Sequence, residues 1–153
     1  MISTLFHVNL VVRDMATSVA FYQALGFTPV GEATPEGEDL GAPLGTTVTK
    51  LHTVFLRLGG DVNGPMLDLV EILEPRPQSR PYPEANHLGI ARVAFWALDL
   101  HTAIQQGESA GGKLLGNPTR FVGPEGFSVD TVCFADPDGI FIQIFSPVQD
   151  NFS

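Results

Sequence analysis

The chain has 153 residues, 44% hydrophobic and 16% charged, a balance that folds instead of staying disordered. Eight Lys and Arg stand against 17 Asp and Glu, a formal charge of −9, which repels a nucleic-acid backbone and an anionic membrane surface alike. No apolar run approaches the roughly 18 residues that span a bilayer, and MISTLFHVNLVV lacks the basic start and cleavage site of a signal peptide, so a cytoplasmic protein is expected.

The first predicted element is a strand, LFHVNLVV. Alternation puts Phe6, Val8, Leu10 and Val12 on one face and His7, Asn9 and Val11 on the other. A helix follows in RDMATSVAFYQALGF, capped by Asp14, with Met15, Val19, Tyr22 and Leu25 at helical spacing and Gly26 as the stop. Strands are then predicted near Thr28–Glu32, Thr47–Leu58 and Met66–Leu73, with GGDVNGP as the turn between the last two. The stretch Thr34–Gly45 is a flexible candidate for a lid or a dimer contact. The Pro-rich EPRPQSRPYPEAN reads as an extended linker.

The second half repeats the layout. IARVAFWAL is a strand and DLHTAIQQGESAGG a capped helix ending in glycine. Strands follow near Lys113–Arg120, Val129–Phe134 and Phe141–Phe145, with DPDG turning into the last. The loop Arg120–Ser128 is a candidate cover for a site. His52 and His101 read as surface or packing residues, and the single Cys133, in an apolar run, as a buried structural thiol. A constant offset of 85 relates Asp14 to Asp99, Met15 to Leu100, Thr17 to Thr102, Val19 to Ile104, Gly26 to Gly111 and Gly31 to Gly116. The pattern is βαβββ twice, an internal repeat.

With these residues in view the chain resembles the vicinal oxygen chelate superfamily, the glyoxalase, bleomycin-resistance and extradiol dioxygenase fold. FHVNLVVRDMATSVAFYQALGF resembles the family's opening strand and helix, GIARVAFWALDLHTAI the opening of its second module, and VCFADPDGIFIQIFSP its closing hairpin. The resemblance implies an α+β fold of two βαβββ modules, with mixed sheets curled around an open cleft. It places module one at 1–74, a linker at 75–86 and module two at 87–148 of a single domain at 1–153. It also implies a homodimer, with pairing within a chain or across a swapped dimer left open.

The resemblance further implies four inward-facing strand positions that commonly bind a divalent metal. His7 matches the first. Adding the repeat offset of 85 gives Arg92 at the second-module counterpart. Guanidinium has no lone pair to donate, so Arg92 is no ordinary metal ligand. His87 lies five residues earlier, on the opposite face of a regular strand. In MLDLVEILEP family spacing favours Asp68, whereas alignment with IQIFSP favours Glu71, and on a regular strand only one of them faces the cleft. Gln143 stands where the family usually has a metal-binding Glu. No cofactor is expected. A weak divalent metal would use His7, Asp68 or Glu71, and Gln143.

Two functions follow from these residues. In the first, His7 is a general acid or base and Arg92 holds a carboxylate, enolate or carbonyl oxygen. Asn9, Asp68 or Glu71, and Gln143 line the cleft, with Trp96, Phe141 and Phe145 as apolar walls. That is isomerase, epimerase or lyase chemistry on a small oxygenated, carbonyl-bearing or anionic molecule. In the second, the same cleft sequesters a small molecule without turnover, as drug-resistance members of the family do. Extradiol ring cleavage needs a second His and a matching Glu at the family's strand positions, where this chain has Arg92 and Gln143.

Overall fold

The computed structural model of the chain describes residues 1–59 and 62–149, so Gly60 and Asp61 of the expected GGDVNGP turn lie outside the described residues. Two compact units divide inside the Pro-rich stretch, between Ser79 and Arg80. Among the described residues no helix is long and apolar enough to cross a membrane.

The first unit runs β1 (His7–Val12), α1 (Met15–Ala24), β2 (Phe27–Ala33), β3 (Lys50–Leu58) and β4 (Met66–Glu74). The sheet order is β1-β4-β3-β2, with β1 parallel to β4 and the other neighbours antiparallel. Asp14 caps α1 by accepting from the Thr17 backbone N–H at 2.8 Å, which satisfies one of the helix's orphan donors. The helix buries Met15, Ser18, Phe21 and Tyr22. Val19 and Leu25, expected in the stripe, are only half-buried. The stripe is rotated because Phe21 and Tyr22 form the larger apolar surface, with their rings packed edge to face at 5.1 Å. Strand alternation supplies the rest of the core: Leu10 and Val12, Val54 and Leu56, and Leu67 and Leu69 are all buried. Truncating the fully buried Leu69 to Ala costs about 2–5 kcal/mol.

The second unit runs β5 (Val93–Trp96), α2 (Leu100–Ser109), β6 (Lys113–Leu114), β7 (Thr119–Val122), β8 (Ser128–Ala135) and β9 (Phe141–Pro147). Its sheet order is β5-β9-β8-β6, with β7 also paired to β8. Asp99 caps α2 as Asp14 caps α1, accepting from Thr102 N–H at 2.6 Å. Leu100 and Ile104 of α2 are buried, as are Val132, Phe134, Ile142 and Ile144 of the sheet. The first unit has the βαβββ plan, the second has it with one strand split into β6 and β7, and both have the mixed sheets of an α+β fold.

Beyond the α1 stripe, the structure differs from the sequence expectation at a strand and a loop of the second unit. Lys113–Arg120 is not continuous: β6 stops at Leu114 and β7 starts at Thr119. Pro118 lies between them and has no N–H to give a ladder, which accounts for the break. Arg120–Ser128 is the arm and turn of a hairpin, closed by Gly123 N–H to Phe127 C=O at 2.7 Å. Only the turn, Gly123–Phe127, remains outside the ladder.

Candidate functional site

Each sheet has one face on its helix and one face free of it. On the first unit the free face is read from the register. His7 pairs with Met66 and Asn9 with Asp68 across β1 and β4. Phe55 pairs with Asp68 and Leu56 with Leu67 across β4 and β3. Alternation then places Thr53, Phe55 and Arg57 on the face of Asp68, opposite the buried Val54 and Leu56.

Asp68 is the hub of this face. The Asn9 amide donates to its Oδ2 at 2.9 Å, and the Thr53 hydroxyl donates to its Oδ1 in a very short bond. His7 Nε2 lies 3.8 Å from Oδ2, beyond hydrogen-bond reach but within ion-pair range. The His7 ring has Phe6 on one side at 5.0 Å and Phe55 edge-on at 6.0 Å. Its Nδ1 is buried without a hydrogen-bond partner among the described residues.

Glu71 is on the other face. Its carboxylate accepts from Met15 backbone N–H at 3.2 Å and from Arg76 at 3.0 Å. It therefore closes the first turn of α1, and the odd separation from Asp68 along β4 is the reason. Of the two acids considered, Asp68 stands beside His7 and Glu71 does not.

The second unit carries a parallel constellation. Ala94 pairs with Gln143 and Trp96 with Phe145 across β5 and β9. Cys133 pairs with Gln143 and Thr131 with Phe145 across β8 and β9. Arg92, just before β5, donates from Nε to Gln143 Oε1 at 2.5 Å. Gln143 Nε2 donates to the Thr131 hydroxyl at 2.9 Å, and that hydroxyl donates to Ile144 C=O at 2.9 Å. The chain of donors fixes which way the amide points. The guanidinium is exposed, and among the described residues its terminal nitrogens make no hydrogen bond. Trp96 is exposed, whereas Phe141 and Phe145 are half-buried on the same face. Burial pushes the Cys133 thiol up, and the nearby Arg92 charge pulls it partly back.

Three further histidines stand apart from these faces. His52 meets Glu32 at 2.7 Å, His87 stacks on Tyr82 at 4.7 Å, and His101 is exposed in the first turn of α2. Reading the sequence missed Thr53, Arg57 and Thr131. The signal was present in KLHTVFLRL, where Thr53, Phe55 and Arg57 occupy every second position.

The donor set does not fit the four-ligand metal pattern that the resemblance implies. His7 and Asp68 are suitable donors, and Asp68 is oriented by Asn9 and Thr53, one on each oxygen. Arg92 has no lone pair, and Gln143 Oε1 is committed to it. Among the described residues, no group of three or more His, Cys, Asp and Glu converges.

Comparison with known proteins agrees with this fold. Residues 4–144 match the Glyoxalase/Bleomycin resistance protein/Dioxygenase superfamily. A glyoxalase family protein from Bacillus cereus is similar at 21% identity and a TM-score of 0.83, with 97% of each chain covered. A V278E mutant of glyoxalase I from Zea mays is similar at 20% identity and a TM-score of 0.65, over 93% of this chain and 45% of that one. The trypanothione-dependent glyoxalase I of Leishmania major is similar at 18% identity and a TM-score of 0.61, over 94% of this chain and 86% of that one. No curated protein sequence matches the chain. At these identities the solved structures establish the fold alone, and the match over 4–144 carries the assignment: the chain belongs to the Glyoxalase/Bleomycin resistance protein/Dioxygenase superfamily.

Proposed function

We propose that the protein binds a small oxygenated organic molecule and moves a proton on it without a tightly held metal, giving isomerase, epimerase or lyase chemistry. The observation that carries this reading is the His7–Asp68 pair, held by Asn9 and Thr53 on a sheet face free of the helix. His7 takes a proton from carbon beside a carbonyl, with the Asp68 carboxylate beside its ring. On the second unit, the Arg92 guanidinium, steadied by Gln143, suits a ligand carboxylate in its own right. General acid–base catalysis of this kind contributes about 10²–10⁴-fold in rate.

Solvent deuterium exchange, followed by NMR on small 2-oxo and 2-hydroxy acids, tests the reaction. Exchange with the wild-type chain and its loss in His7→Gln is the expected result. Exchange that survives His7→Gln ends the assignment of His7 as the base. Metal content is measured on the same preparation, and a stoichiometric divalent ion would overturn the metal-free part. A homodimer belongs to the same proposal and is read from the mass in solution.

A second reading, sequestration without turnover, is favoured by the exposed indole of Trp96 beside Phe145. Stoichiometric binding of aromatic ligands with no proton exchange would select it.

A further inference from the structure

The geometry points to Arg57 as an anion-binding residue, so that the ligand of the first unit's free face carries a carboxylate. This rests on the small-molecule reading above and narrows it to a class.

Three observations support it. The first is position. The β3–β4 register ends at Leu56–Leu67, and one further step along both strands brings Arg57 level with Met66, which pairs with His7, so the three residues line up across β3, β4 and β1. Two strand spacings separate Arg57 from His7, about 10 Å between backbones. Long side chains shorten that gap to the length of a small organic acid.

The second is lack of compensation. Arg57 is half-buried, and its Nε is closed off from solvent with no hydrogen-bond partner among the described residues. A buried polar group left unpaired carries its full desolvation cost, and a partly buried cation needs an opposite charge. His7 Nδ1, in the same row, is orphaned as well.

The third is context. The chain has 17 acids for eight cations, so acidic partners are abundant. Lys50 meets Glu36, Arg76 meets Glu71 and Arg120 meets Asp130. Arg57 makes no ion pair among the described residues. The acid on its own face, Asp68, accepts instead from Asn9 and Thr53. A planar fork with no internal acid is matched by a ligand carboxylate on its terminal nitrogens, which supplies the missing negative charge.

The test titrates small 2-oxo and 2-hydroxy carboxylates, and their uncharged methyl esters, into the full chain. The readout is the guanidinium Nε–Hε NMR signal of Arg57, assigned by its disappearance in Arg57→Met. Carboxylates that move this signal, esters that do not, and an affinity at least tenfold weaker in Arg57→Met are expected. If Arg57→Met does not fold, Arg57→Lys replaces it for the affinity arm, with assignment from the wild-type spectrum. The inference is overturned if no carboxylate moves the signal, if esters bind as well as acids, or if the variant binds like wild type. A carboxylate that binds through Arg57 but exchanges no proton leaves this inference standing and removes only the catalytic reading.

Discussion

Asp68 and Gln143 occupy one and the same register position in their two sheets. Asp68 faces Asn9 across a parallel strand pair, and Gln143 faces Ala94, the residue 85 further on from Asn9. Their hydroxyl partners match too: Thr53 lies opposite Val70, two residues past Asp68, and Thr131 lies opposite Phe145, two past Gln143. The repeat thus holds His7–Asp68–Thr53 on one sheet and Arg92–Gln143–Thr131 on the other. One set has a titratable base and an acid. The other has a permanent cation and an amide.

Asp68 and Glu71 should separate cleanly under mutation. Asp68→Ala leaves the Asn9 amide and the Thr53 hydroxyl without their acceptor, at a cost of about 1–3 kcal/mol. It should also abolish any proton exchange. Glu71→Gln weakens the tie to α1 and to Arg76 by about 0.5–1.5 kcal/mol, with exchange unchanged. Urea unfolding beside the exchange assay checks both. Equal effects of the two variants on exchange would sink the distinction.

Gln143 should matter by steadying Arg92. Gln143→Leu removes the acceptor at 2.5 Å and releases the guanidinium. A loss of about 0.5–1.5 kcal/mol of stability is expected. Carboxylate binding should weaken through the same variant, read as the dissociation constant by calorimetry. Unchanged binding would mean that the hydrogen bond does not position the cation.

Cys133 offers a reporter of the Arg92 charge. Its thiol is pushed up by burial and pulled back in part by Arg92. In Arg92→Met the thiol should rise further, leaving less thiolate at a given pH. Alkylation by iodoacetamide at pH 8 should therefore be slower than in wild type. Faster alkylation would show that Arg92 shields the thiol more than its charge activates it.

Acid should weaken the second unit through Asp130. This carboxylate is fully buried and accepts from Arg120 at 2.8 and 3.2 Å and from Gln149 backbone N–H at 2.7 Å. The Arg120 hydrogen bonds hold it below the ordinary carboxylate range, against the opposing effect of burial. A depressed folded-state value means stabilisation that is complete above the unfolded carboxylate value, about 3.9. It is lost as pH falls below that value and through the folded one. Arg120→Met should cost about 1.5–3 kcal/mol at neutral pH and much less once Asp130 is protonated. Thermal melts from pH 7 to pH 3 check this, and a variant whose deficit stays constant with pH would refute it.

The fold was legible because it is written in local signals. Asp14 and Asp99 cap their helices through threonines three residues on, in matching segments, and that match exposed the repeat. His7, Asn9 and Gln143 could be placed on strand faces because alternation has a period of two, whereas Arg92 stands just before its strand. The broken strand between Leu114 and Thr119 was harder to read, since it depends on what β8 pairs with on either side of Pro118. Only the tertiary structure could decide between Asp68 and Glu71. Both lie on β4, and which face meets α1 is set by packing that the strand's own pattern, buried on both faces from Met66 to Val70, does not reveal. The same holds for Arg57 and Thr53. Their strand was predicted, but their place in the row of His7 and beside Asp68 depends on pairing between segments far apart in the chain, which residue order alone does not encode.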